Sequence, residues 1–314
     1  MIAIGLSIFL FAIWSLSFPL GKYALEFCPP IFLTAFRMLL GSAMIYIILF
    51  FTDRKSFRIT KRQFFSLFLL GFFSIYITNI LEYWGLVHLT AGKACFIYSL
   101  SPFFTAFFSY LHFKEKMNLR KWIGMLVGFC GIVPVLLTQT GSEGFLKAFG
   151  FISWPELAII GAVLFSVYGW VLLRISVKED SVSPLMANAT SMLIGGSMAL
   201  GHSFLVEDWN PTPILAGSFW PLAKVVLLSA ILSNVIGYNL YGYLLKKLTA
   251  TFLSFVGLLS PIFASIASWM ILGESFSPPI VIATSIIGTG LYLVYKAELG
   301  QGYIVSKRSV SENV

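Results

Sequence analysis

Apolar residues along this chain come in long unbroken blocks rather than in stripes on amphipathic elements. Ten blocks stand out, at 2–21, 31–51, 64–86, 93–113, 121–138, 155–174, 184–206, 222–244, 250–272 and 279–296. A run of about 18 or more apolar residues crosses a hydrocarbon layer as a helix, which pairs every backbone polar group within the segment. The pattern predicts an all-α integral membrane protein of ten transmembrane helices. Segments between the blocks are short, so consecutive helices should be neighbours with no soluble domain between them. The longest connections, 139–154 and 207–221, hold the breakers Gly141, Gly144, Gly150, Pro211 and Pro213.

The blocks also repeat. At an offset of 159 residues, Leu89-Thr90-Ala91 falls on Leu248-Thr249-Ala250, and Leu100-Ser101-Pro102 falls on Leu259-Ser260-Pro261. Phe96, Phe104, Ser109, Glu115 and Gly131 meet Phe255, Phe263, Ser268, Glu274 and Gly290 at the same offset. A shared apolar composition does not produce this ordered string, so we read an internal duplication. It divides the chain into a first five-helix repeat at 1–138, a connecting loop at 139–154, a second repeat at 155–296 and a polar, disordered tail at 297–314. An odd number of helices per copy makes the two copies cross the membrane in opposite senses, as the inverted repeats of secondary transporters do.

Composition and charge refine this picture. With 58% hydrophobic and 11% charged residues, the chain lies far from a soluble domain. Its net charge of +8 would point to a polyanion in a soluble protein, but topology accounts for it here. With the N-terminus inside, the inner segments hold 16 Lys and Arg and the outer segments 4, namely Lys22, Lys93, Lys147 and Lys224. That asymmetry predicts both termini in the cytoplasm and needs no nucleic acid. Cys28, Cys95 and Cys130 are odd in number and lie in or beside apolar blocks, so free thiols are expected. Met1 leads straight into an apolar run without a basic leader, which is not the pattern of a cleavable signal.

Trp14-Ser15-Leu16-Ser17-Phe18-Pro19, the segment from Pro30 to Arg37, the two Leu-Thr-Ala and Leu-Ser-Pro copies, Glu115 and the glycines 124, 128 and 131 together carry a family likeness. On these residues the chain resembles the drug/metabolite transporter superfamily, in its EamA branch. The resemblance covers nearly all of 1–296 and implies two inverted five-helix bundles that move small organic solutes across a bacterial cytoplasmic membrane. Members of the family carry amino acids, purines and other metabolites. As a whole, and without one short motif to carry it, the sequence also resembles the S-adenosylmethionine transporters of intracellular bacteria such as chlamydiae. That likeness implies S-adenosylmethionine as the solute, exchanged for S-adenosylhomocysteine.

Polar residues inside apolar blocks are the candidate substrate contacts, since they are costly against lipid and usually face a cavity or a partner. Asn79, Glu82 and Tyr83 stand at i, i+3, i+4 on one helix face. Glu82 suits an amine, a sulfonium or a proton, or else a structural tie to Lys93 across the short 87–92 turn. Lys93 in turn suits a substrate carboxylate or that tie. Tyr98, Ser101 and Thr105 share a face beside Pro102, which frees a backbone carbonyl at cavity depth, and Pro261 does so in the second copy. Both prolines are candidate gating positions or passive kinks. Asn234, Tyr238 and Tyr241 lie at i, i+4, i+7, with Asn239 about 100° round from Tyr238; an amide there serves a substrate or ties helices. Trp14, Ser17, Tyr168 and Trp170 complete the set with aromatic and hydroxyl surface. Arg37 sits a turn inside the outer end of its block, where its roles are a substrate contact or, as the favoured expectation, snorkelling to lipid phosphate. Gly195 and Gly196 are expected to let helices pack closely.

Catalysis finds little support. His88, His112 and His202 fall near block ends, and the sequence has no HExxH, CxxC or Gly-rich phosphate loop, so no metal or other cofactor is implied. The expectation is a secondary transporter of a small molecule, embedded in membrane lipid and working by alternating access. A membrane-embedded enzyme would need more convergent ionisable groups, and a channel does not call for a duplicated, inverted half.

Overall fold

The structure is a computed structural model that describes residues 2–57, 59–89, 91–139, 153–178, 180–272 and 279–302. Among the described residues every regular element is helical, and no strand occurs. A helical segment falls on each apolar block. Six of them are long and apolar enough to cross a membrane: Ile2–Ala24, Pro30–Thr52, Lys61–His88, Trp154–Lys178, Pro184–Val206 and Phe219–Leu244. The helices Leu119–Gln139 and Pro279–Gly300 are of similar length.

Helix starts follow local chemistry. Thr60 and Gln63 form a reciprocal capping box, and the Ser183 and Thr249 side chains accept from the backbone N–H groups of Met186 and Phe252. Pro30 opens its helix, whose first-turn Ile31 and Phe32 N–H groups both donate to the Glu207 carboxylate at 2.8 Å. A cap borrowed from the end of Pro184–Val206 thus locks these two helices together. At the other end of Lys61–His88, the Lys22 ammonium donates to the carbonyls of Leu86, Val87 and Leu89.

The expected proline breaks are present. One helix runs Ala91–Tyr98, and a second starts at Ser101 with Pro102 in its first turn. In the other copy Ala250–Val256 passes through a 3₁₀ turn at Gly257–Leu259 into Ser260–Leu272, which contains Pro261. Two further breaks have no proline. Gly71–Ile77 and Ala230–Gly237 are π-helical, and their starts differ by the same 159 residues as the sequence repeat.

Packing pairs equivalent elements of the two copies. Pro30–Thr52 lies against Pro184–Val206, and Leu119–Gln139 against Pro279–Gly300. The first helix packs on the π segment Ala230–Gly237, and Trp154–Lys178 packs on Gly71–Ile77. Small residues permit these approaches: a Cβ on Gly195 would lie 2.6 Å from the Gly71 carbonyl oxygen, and one on Gly290 2.6 Å from that of Gly124. Glycine at 195 therefore serves close packing, as expected.

The tail starts later than expected. Residues 297–300 continue the last helix, and Glu298 is fully buried there. Burial of the Lys121–Glu298 ion pair at 3.0 Å explains the extension. Residues 303–314 and most of the 139–154 connection lie outside the described residues.

Candidate functional site

A cavity with about 820 Å³ of empty space, its mouth included, lies between the two copies. Helices of both repeats line it, and the lining follows the repeat offset: Asn79 and Tyr238, Tyr98 and Gly257, and Ser101 and Ser260 are partners at 159 residues.

One wall is polar and charged. Arg37 donates from Nη2 to the Asn79 side-chain oxygen at 2.6 Å, and its guanidinium lies 5.2 Å from the Tyr83 ring centroid. The Asn79 amide donates in turn to the Ile75 carbonyl at 2.8 Å, inside the π segment. Tyr98 donates its hydroxyl hydrogen to Glu82 Oε2, and both line the cavity. The π turn and the Pro102 break therefore aim this wall, because each frees backbone and re-aims side chains at one depth.

The other wall is aromatic. Trp14 stacks on Trp170 at 6.3 Å between ring centroids and on Tyr241 at 5.3 Å, and meets Tyr238 edge-on at 5.6 Å. Its indole N–H donates to the Ser233 carbonyl at 3.4 Å, while the Ser233 hydroxyl bonds that of Ser17. Such faces take planar rings and cations alike.

Of the residues singled out from the sequence, Trp14, Ser17, Asn79, Glu82, Tyr98, Ser101, Trp170 and Tyr238 line the cavity. Several others are not among the lining residues. Tyr168 stands two positions from both Ser166 and Trp170, so it faces away and packs on Phe73 and Phe108. Asn239 accepts from the Asn188 side chain at 2.9 Å and donates to the Val235 carbonyl, a tie between helices. Asn234 is buried against Gly41 and donates to the Met38 sulfur at 3.0 Å. Tyr83 backs Arg37 and abuts Gly21, and Tyr241 supports the two tryptophans from behind. Pro102 and Pro261 are buried beside lining residues without being among them. The Lys93 side chain lies outside the described residues.

The clearest correction concerns Arg37. It does not snorkel, being only 4% exposed and part of the cavity wall. Leu33, Arg37, Gly41 and Ile45 form the buried stripe of their helix at intervals of four, so the stem is drawn inward and the charge joins Glu82 in the cavity lining rather than reaching lipid phosphate. Phe11, Phe18, Ser166 and Ser233 also line the cavity; Ser260 could have been found from its repeat partner Ser101.

Away from the cavity, at the helix ends rich in Lys and Arg, a second polar cluster is buried. Arg174 donates to Glu115 at 2.5 Å, and Thr251 to the same carboxylate at 3.4 Å. Lys121 pairs with Glu298, which also accepts from Thr249 at 2.5 Å. The Glu115 bonds and the Lys121–Glu298 pair join first-copy helix ends to those of the second copy.

A duplicated helical bundle with a cavity between its halves is the architecture of a membrane carrier, and comparison with known proteins agrees. The chain belongs to the EamA-like transporter family, whose model matches residues 1–137 and again 153–296. It is a multi-pass membrane protein of a family of transporters, not of enzymes. Two proteins named S-adenosylmethionine/S-adenosylhomocysteine transporter are similar to it. One, from Chlamydia muridarum, is 39% identical over 94% of this chain and 92% of that protein. The other, from Chlamydia trachomatis serovar L2, is 39% identical over 94% and 89%. An uncharacterized transporter of Archaeoglobus fulgidus is 23% identical over 90% of this chain and 95% of its own length. A crystal structure at 18% identity superposes with a TM-score of 0.72 over 93% of this chain and 96% of the other, which supports the fold alone.

Proposed function

We propose that this chain exchanges S-adenosylmethionine for S-adenosylhomocysteine by alternating access across a bacterial cytoplasmic membrane. Its ten helices cross the membrane as two inverted five-helix repeats, with both termini in the cytoplasm. The single observation that carries the reading is the cavity between the repeats, whose lining combines Arg37 and Glu82 with Trp14 and Trp170. Both ligands present what those residues match: a zwitterionic amino-acid end and a flat adenine. The names of the chlamydial relatives support the same solutes.

Other observations support the architecture. Leu119–Gln139 has 21 residues and Pro279–Gly300 has 22. At about 1.5 Å per residue each reaches the roughly 30 Å of a hydrocarbon core. The pieces at 91–113 and 250–272 fall short only because each is broken at its centre. Helix pairing is unchanged when the two copies are exchanged, as inverted repeats require. Pro102 and Pro261, at the two breaks, are the gating positions.

Counterflow tests the reading. Proteoliposomes preloaded with unlabelled S-adenosylhomocysteine should take up labelled S-adenosylmethionine faster than empty ones. Acceleration by preloaded amino acids or purines, and none by S-adenosylhomocysteine, would assign the chain to a different solute of the same family.

A further inference from the structure

Arg37 is buried within a membrane helix, yet its Nε–H has no hydrogen-bond partner. Nη2 is committed to Asn79 and the guanidinium face to Tyr83, so the remaining N–H edge is the part left for a ligand. A guanidinium edge matches a carboxylate in shape and charge better than any neutral acceptor. Glu82, on the same cavity, is held at one oxygen by Tyr98 and offers an anion to an ammonium group.

We propose that Arg37 and Glu82 form a clamp for an α-amino acid, Arg37 taking the α-carboxylate and Glu82 the α-ammonium, and that this clamp decides what the cavity accepts. The inference rests on the proposed function for the rest of the ligand and deepens it. The sulfonium then meets aromatic faces, with no second carboxylate among the described lining residues. Methylated and demethylated ligands consequently bind through the same groups, which suits an exchanger that must release one to take the other.

The test uses the full chain in proteoliposomes and competes labelled S-adenosylmethionine with three analogues: one lacking the carboxylate, one lacking the amine, and 5′-methylthioadenosine lacking both. Wild type should lose about 10–100-fold for each missing group, the range of a charge-assisted hydrogen bond. Arg37→Gln should bind S-adenosylmethionine weakly but the decarboxylated analogue within about threefold of wild type, and Glu82→Gln should show the converse for the deaminated one. Arg37→Lys keeps the buried charge and is scored if Arg37→Gln does not reach the membrane; an intermediate loss that still favours carboxylate-bearing ligands is expected. Equal weakening of every analogue by either variant would overturn the clamp. Failure of wild type to take S-adenosylmethionine sinks the proposed function instead. The clamp is then judged from melting temperatures with free amino acids and their decarboxylated amines, where no preference for the acids overturns it.

Discussion

At Gly237 a single hydrogen atom keeps the Trp14 indole in place: a Cβ there would overlap the ring nitrogen. Gly237→Ala should push Trp14 into the cavity and separate it from Trp170. Overpacking of this kind costs about 1–3 kcal/mol, so substrate affinity should fall by up to about 5–150-fold at unchanged membrane abundance. Unaltered affinity in a transport assay would mean that the tryptophan pair does not set the ligand's position. The same scale shows what the sequence could convey about the site. Polar residues inside apolar blocks marked the right depth, and eight of those singled out line the cavity. Which of two neighbours faces inward depends on helix phase, and a chain apolar on all sides carries little of it. Trp170 and Tyr168 differ by two positions and look alike in sequence, yet one forms the wall and the other packs behind it. Arg37 was misjudged because its burial depends on Asn79 and Tyr83, more than forty positions away.

Helix positions were legible because apolar run length sets them, and the breaks at Pro102 and Pro261 were legible because proline lacks an N–H. The π segments were not, since nothing within Gly71–Ile77 demands one. They depend on tertiary contacts, among them the Asn79 amide on the Ile75 carbonyl and Gly195 against Gly71. Pro102→Ala and Pro261→Ala should each slow transport more than they reduce insertion, by restoring a helix hydrogen bond beside the cavity. Wild-type uptake at matched abundance would make both prolines passive kinks. The buried Lys121–Glu298 pair supports a different expectation. Lys121→Met leaves a carboxylate buried without its cation, at a cost of about 3–5 kcal/mol. Arg62→Ala removes a bridge to Asp180 whose arginine is 83% exposed, worth at most about 1 kcal/mol. Thermal unfolding in detergent should therefore separate the two variants clearly, and similar melting temperatures would contradict the assigned burial.

The whole molecule pairs each element of one copy with elements of the other, so the cavity sits where two similar bundles meet. With 16 basic residues on the expected inner side against 4 outside, a C-terminal reporter should be active only in the cytoplasm. Activity only on the outer face would overturn the ten-span count with its termini inside. The cavity has one more consequence. Its charged lining among the described residues is one arginine and one glutamate, which cancel. The described lining therefore adds no net charge to what the cavity holds. S-adenosylmethionine bears a net positive charge through its sulfonium, whereas S-adenosylhomocysteine is a neutral zwitterion. Under the proposed exchange each cycle is electrogenic, and a cell's inside-negative voltage pulls the methyl donor inward. A potential of about 100 mV is worth about 2.3 kcal/mol per charge, roughly a 50-fold bias in the exchange equilibrium. In vesicles clamped with potassium and valinomycin, exchange of S-adenosylmethionine for S-adenosylhomocysteine should follow the voltage, while homocysteine-form self-exchange should ignore it. Voltage-independent exchange of the unlike pair would mean that another ion crosses to balance the charge. A transporter of this kind draws on the voltage its host membrane already maintains, and needs no fuel of its own.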